Sequence, residues 1–148
     1  MAHVHDTILI NAPVDRVFAV GRDPRSWATW WVNLTKPKRV RGDGSAGTVL
    51  SYGHLVAGHA LPLKVRVLAD RFDNDGSGHW QGALDGPMQG QHCWDYVPCE
   101  GGTQVTVDID FAIPRRLPAE IADPTYLERM EGSAIHHSLE NLKFMVEQ

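Results

Sequence analysis

The sequence predicts an α+β domain in which one long helix lies across a strongly curved antiparallel sheet. Two patterns carry that expectation. Between Leu34 and Ile113, short runs of alternating apolar residues are divided by turn residues at Gly42-Asp43-Gly44, Gly58, Asn74-Asp75-Gly76, Asp85-Gly86-Pro87 and Gly101-Gly102. After Asp123-Pro124, apolar residues recur every three or four positions almost to the end of the chain. The sheet and the helix each have one apolar face to hide, so the helix is expected on the concave side.

The elements follow in order. Val4 to Ile10 reads as a first strand with Val4, Ile8 and Ile10 on one side. Asn11-Ala12-Pro13 supplies a capping side chain and a proline suited to a helix start, and Val14, Val17 and Phe18 follow at helical spacing until Gly21. Asp23-Pro24 opens a second short helix, on which Trp27, Trp30 and Trp31 share one flank. Four inward strand faces come next. They are Leu50, Tyr52 and His54; Leu61, Leu63, Val65 and Val67; His92, Trp94 and Tyr96 within the run Met88 to Val97; and Val105, Val107, Ile109, Phe111 and Ile113. Thr106, Asp108 and Asp110 oppose the last face, the alternation of a half-buried antiparallel strand. The closing helix runs to about Glu147 with a stripe of Leu127, Met130, Ala134, Ile135, Leu139, Leu142, Met145 and Val146.

A chain of 148 residues with no repeat or linker makes one domain, residues 1–148. Its formal net charge of −4 argues against general attraction to nucleic acid or anionic membranes. No apolar run approaches the roughly 20 residues of a membrane span, and the first residues do not read as a charged and then apolar leader. The expectation is therefore a cytoplasmic protein without stable membrane insertion. Cys93 and Cys99, if on one extended segment, stand roughly 20 Å apart at ~3.3 Å per residue, too far for a disulfide, and read as reduced structural thiols.

The segments Ile10-Asn11-Ala12-Pro13-Val14-Asp15-Arg16-Val17-Phe18, Asp23-Pro24 to Trp30, Gly47-Thr48-Val49, Trp94-Asp95-Tyr96-Val97-Pro98, Gly102-Thr103-Gln104-Val105-Thr106 and Ser138-Leu139-Glu140-Asn141-Leu142-Lys143 carry a resemblance. In that order they resemble the START-like, or SRPBCC, superfamily, which includes polyketide cyclase/dehydrase-like, coenzyme-Q-binding and Bet v 1-like proteins. The resemblance implies a helix-grip fold: a seven-stranded sheet clasps the long helix around an internal apolar cavity. It also implies that the cavity holds a lipid, polyketide, quinone or similar hydrophobic molecule, and that some members catalyse cyclisation or dehydration. No catalytic motif shared by all members transfers to this chain.

The inward faces supply the lining expected of such a cavity. Leu50, Tyr52, His54, Leu63, Val65, Trp80, His92, Trp94, Tyr96, Val107, Ile109 and Phe111 come from the strands, and Ala134 and Ser138 from the long helix. Trp27 and Trp30, with Trp31, either form an apolar mouth or cap the core. Glu131 falls near the centre of the apolar stripe at 100° per residue, where it either faces the cavity as an acid/base group, overhangs the sheet edge in water, or pairs with an arginine. His54 and His92 are candidates for proton transfer or for hydrogen bonding a carbonyl, against an ordinary structural role. Tyr52 and Tyr96 offer hydroxyls to orient a ligand. The eight histidines, including His3, His5, His136 and His137, show no metal-ligand spacing, so neither a metal nor a cofactor is expected. Lys36, Lys38, Arg39 and Arg41 read as a solvated edge strand marked by Pro37.

Three functions stay open. The first is a carrier or sensor for a hydrophobic small molecule. The alternative is a cofactor-independent polyketide cyclase/dehydratase-type enzyme with Glu131 or His92 as acid/base. The third is a protein-interaction module, for which no exposed apolar patch is legible. Monomer and homodimer are both compatible with the sequence.

Overall fold

The structure, a computed structural model, describes residues 1–113, 117–119 and 121–148. Seven strands build one antiparallel sheet: β1 (Ala2–Ile10), β2 (Arg39–Arg41), β3 (Val49–Val56), β4 (His59–Phe72), β5 (Gly78–Asp85), β6 (Gly90–Cys99) and β7 (Gly102–Phe111). Their spatial order is β1-β7-β6-β5-β4-β3-β2, so consecutive strands from β2 to β7 are neighbours and β1 closes the far side on β7. Two short helices, α1 (Val14–Gly21) and α2 (Trp27–Trp30), follow β1, and α3 (Pro124–Val146) ends the chain. The result is the helix-grip arrangement, a curved sheet holding a long helix.

Alternation sets the two faces. β7 buries Thr103, Val105, Val107, Ile109 and Phe111, and β4 buries Leu61, Leu63, Val65 and Val67. Against that inner face α3 buries Leu127, Ala134, Ile135, Ser138, Leu139, Leu142 and Val146. Met145 departs from the expected stripe and is exposed, because Val146 lies closer to the axis of the buried face and fills it. Asp123 caps α3 by accepting from the Thr125 N–H, with Pro124 in the first turn where no N–H is needed.

The start of α1 corrects one expectation. The residue at its N-cap is Pro13, with no side-chain bond. Asn11 stands two residues too early to reach the first free amides. Its own N–H instead donates to Glu147 Oε1 at 2.8 Å. The second short helix begins as expected, with Asp23 accepting from the Arg25 N–H, but its first turn is a 3₁₀ turn over Pro24–Ser26. The backbone becomes extended at Trp31, so the third indole sits just beyond the helix while still stacking on Trp30 at 5.5 Å.

α3 runs beside β1, an edge strand, and engages two of its backbone groups. Glu128 accepts from the His3 N–H at 2.9 Å, and Lys143 Nζ donates to the Leu9 carbonyl at 3.0 Å. At the opposite edge, β2 has three residues, two of them arginine, and follows Pro37. Among the described residues no helix is long and apolar enough to cross a membrane.

All five tryptophans form one cluster between α2 and the middle of the sheet. Trp27 meets Trp80 edge-on at 5.4 Å, Trp30 meets Trp94 at 5.7 Å, and Trp31 meets Trp94 at 5.2 Å. The Trp27 Nε1–H donates to the Gly21 carbonyl at 2.9 Å. Gly21 is obligatory there, since a Cβ would lie 2.3 Å from the Tyr96 hydroxyl packed over it. Trp27→Ala is expected to cost about 3–5 kcal/mol by opening a cavity at the centre of this cluster. A urea midpoint shift without a change in slope would show it.

Candidate functional site

The aromatic cluster fills one end of the grip, and a hollow remains at the other. It lies between the first half of α3 and the inner faces of β3 to β7. Its void, mouth included, is about 430 Å³, yet the centre of a water-sized molecule can move through only about 30 Å³ of it. That inner space is room for about one water. Two spaces in which the centre of such a molecule is free over about 460 and 420 Å³ are open grooves. One is lined by Lys38, Gly53, Pro62 and Lys64; the other, outside α3, by Asn33, Tyr126 and His137.

Eight of the residues singled out in the sequence meet at the hollow: Trp31, Tyr52, His54, Leu63, His92, Ile109, Phe111 and Glu131. The others lie elsewhere. Leu50, Val65, Val107, Trp27, Trp30, Trp80 and Trp94 are packed into the core, with Trp27 and Trp30 capping it and forming no part of the hollow's lining. Tyr96 packs edge-on against Phe18 of α1 at 5.2 Å. Ala134 borders the outer groove. Ser138 is a structural tie: its hydroxyl donates to the Ala134 carbonyl and accepts from the Val32 N–H, both within 2.8 Å.

Five lining residues were absent from the expected set: Val4, Leu34, Leu84, Met88 and Ile135. Val4 and Ile135 already stood on inward faces, and Leu84 continues the buried alternation of Trp80 and Gly82 along β5. Leu34 lies outside the named strands; Met88, read as the first residue of a strand, instead precedes β6, which begins at Gly90, yet shares the inward phase of His92 and Trp94.

Four polar groups break the apolar wall. Glu131 reaches from α3 to His54 on β3, with Nε2 at 3.0 and 3.1 Å from its two carboxyl oxygens. The other ring nitrogen, Nδ1, donates to the Asn33 carbonyl at 3.3 Å. The two form a close hydrogen-bonded pair whose side chains are only 7% and 12% exposed, each offsetting part of the cost of burying the other. The third group is Tyr52, whose hydroxyl is held protonated by burial and by the nearby Glu131.

His92 on β6 is the fourth. The indole N–H of Trp94 donates to its Nδ1 at 3.0 Å. Indole only donates, so Nδ1 must be the acceptor and the ring proton sits on Nε2. That Nε2–H is buried and has no hydrogen-bond partner. Burial pushes the ring's pKa down to about 3, so His92 stays neutral and acts as a donor. Gly82 stands opposite His92 in the β5–β6 ladder. A Cβ at Gly82 would lie 2.5 Å from the edge of the Trp80 indole, whose ring tilts against His92 at 4.8 Å.

The sequence matches the family described as polyketide cyclase / dehydrase and lipid transport over residues 1–147. The chain belongs to this family. Solved structures agree with the helix-grip fold of this polyketide cyclase / dehydrase and lipid transport member. An aromatase/cyclase from Streptomyces sp. R1128 is 19% identical, with 98% of this chain and 93% of that one covered and a TM-score of 0.70. A START superfamily protein from Mycobacterium smegmatis is 16% identical, with 100% and 99% covered and a TM-score of 0.72. A protein from Thermus thermophilus is 15% identical, with 97% and 96% covered and a TM-score of 0.78. At these identities the likeness is one of fold. No curated protein matches the sequence significantly.

The buried neutral imidazole gives a pH signature. Unfolded, the His92 ring titrates near 6.5; folded, near 3. Between those values the unfolded chain binds a proton that the folded chain refuses, so stability falls as the pH drops below about 6.5. The slope contributed is at most about 1.4 kcal/mol per pH unit, and none arises above that window. His92→Phe is expected to flatten the stability–pH profile by close to one proton between pH 5 and 6.5, measured by urea titration at stepped pH.

Proposed function

We propose that the protein binds a compact hydrophobic molecule, one or two rings in size and bearing an acceptor oxygen, and acts as its carrier or sensor. The observation that carries this reading is His92, a residue of the largely apolar hollow whose buried Nε2–H has no hydrogen-bond partner. A buried donor without an acceptor costs about 1–3 kcal/mol, and a ligand carbonyl would recover that cost while fixing the ligand's orientation. Burial of the ligand's apolar surface supplies the remainder, at roughly 25 cal/mol per Å².

Size narrows the class. Only about 30 Å³ of the hollow admits the centre of a water-sized molecule, far less than the roughly 300–1,000 Å³ of ligand sites, so only a small ring compound can enter without extensive rearrangement and long acyl chains are disfavoured. Entry requires the lining to move apart, since so little of the void is open to a water-sized molecule. Leu34 and Met88, outside the strands, are the side chains best placed to give, and the unbranched thioether of Met88 adapts easily. The family's description, which names both cyclase/dehydrase activity and lipid transport, supports a small hydrophobic ligand in general terms.

Two probes test the reading: 2-tetralone, and tetralin, which has the same rings without the carbonyl. Both are expected to alter the fluorescence of the tryptophans, of which Trp31 lines the hollow. One neutral hydrogen bond predicts roughly 3- to 10-fold tighter binding of the ketone. His92→Phe should abolish that preference while still binding tetralin. No binding of either compound, or equal binding of both by the parent protein, overturns the reading.

A further inference from the structure

The hollow holds more than a binding pocket requires. Binding an apolar molecule does not by itself require a buried carboxyl group hydrogen-bonded to an imidazole, yet Glu131 and His54 stand together on the wall. The third group, His92, is a neutral donor whose Nδ1 is occupied by Trp94. Two distinct chemical roles are therefore present on one apolar surface: a proton-holding pair and an N–H donor with nothing to donate to.

We propose that the site catalyses proton transfer at the carbon next to the carbonyl of a small ring ketone, interconverting ketone and enol. This rests on the binding reading above. In the forward step the α-carbon C–H bond breaks and its proton passes to a carboxylate oxygen of Glu131. The bonding pair forms a carbon–carbon double bond as the carbonyl π pair moves onto oxygen. That oxygen accepts the hydrogen bond from His92 Nε2–H, where charge develops in a water-poor setting and a fixed donor counts most. Return of the proton to carbon or oxygen completes the exchange, so no oxidant, metal or second substrate is consumed. Within this scheme Glu131 is the catalytic base and His92 the electrophilic donor. His54 is a positioning residue: held by the Asn33 carbonyl, it keeps the carboxyl group turned toward the hollow and settles the charge of the pair.

The surroundings suit this assignment. Tyr52 is buried beside Glu131 and is held as a neutral hydroxyl, so no second anion competes for the proton. Leu63, Leu84, Ile109 and Phe111 complete an apolar wall that excludes bulk water from an enolate.

The test uses the intact protein with 2-tetralone in deuterium oxide, following loss of the α-proton signals by NMR alongside tryptophan fluorescence. The parent protein is expected to accelerate exchange at least tenfold over buffer at equal pH. Glu131→Gln, which keeps the side chain's shape, is expected to lose at least nine-tenths of that acceleration while its affinity for 2-tetralone changes less than threefold. His54→Gln should shift the pH profile of exchange and lower its rate, which a merely structural tie would not do. His92→Phe should slow exchange at saturating ketone as well as weaken binding. Binding of 2-tetralone without accelerated exchange overturns the catalytic proposal and leaves the binding reading standing. Undiminished exchange in Glu131→Gln overturns the assignment of the base. Absence of binding overturns both readings at once.

Discussion

The packing of five indoles between the short α2 helix and the centre of the sheet decides how much of the grip is left hollow. Trp27, Trp30 and Trp31 approach from the segment after β1, and Trp80 and Trp94 rise from neighbouring strands in direct register. Aromatic rings of this size fill space that a wider grip would leave to its ligand, and edge-to-face contacts fix them in place. The same cluster determines the chemistry beside it. Trp94 supplies the N–H that selects one tautomer of His92, and Trp31 and Trp80 flank that ring. A residue with a reputation for basicity is thereby turned into a fixed donor. Its character comes from one indole and from exclusion of water.

The opposite wall follows different physics. The Glu131–His54 pair tolerates burial because each member is hydrogen-bonded to the other across 3.0 Å. The imidazole on β6 tolerates burial because it is never charged. Two histidines in one apolar hollow thus have different duties, set by what each Nδ1 meets: a carbonyl that accepts for His54, an indole that donates for His92.

The fold was legible because its signals are long and periodic. The alternation of Val105, Val107, Ile109 and Phe111 and the three-and-four spacing from Leu127 to Val146 each leave one face to bury, and only one arrangement hides both. The site was legible in part. Inward direction could be read for Tyr52, His54, His92 and Glu131 one at a time. That Glu131 would meet His54 depends on the crossing of α3 over β3, a tertiary relation with no trace in either segment's pattern. Depth along the grip was equally hidden: Leu50, Val65 and Val107 face inward like Leu63 and Ile109 but fall where the core is packed solid. Leu34 was missed because residues between strands have no alternation to read, whereas Met88 stood in phase with His92 and was passed over at the end of its run.

The two margins of the sheet are finished by different means, and this bears on how the molecule coexists with its own copies. An uncovered strand margin is a template on which another chain can add a strand, the first step toward aggregates. Along β1 that template is occupied from within, since Glu128 and Lys143 of α3 engage the backbone of His3 and Leu9. Along β2 the strand is three residues long, carries Arg39 and Arg41, and is preceded by a proline two residues earlier. Both ends of α3, Glu128 near its start and Lys143 near its close, therefore act as a guard against strand addition as well as a roof. Chains that lose them would first reveal the damage as insolubility, before any change in the hollow itself.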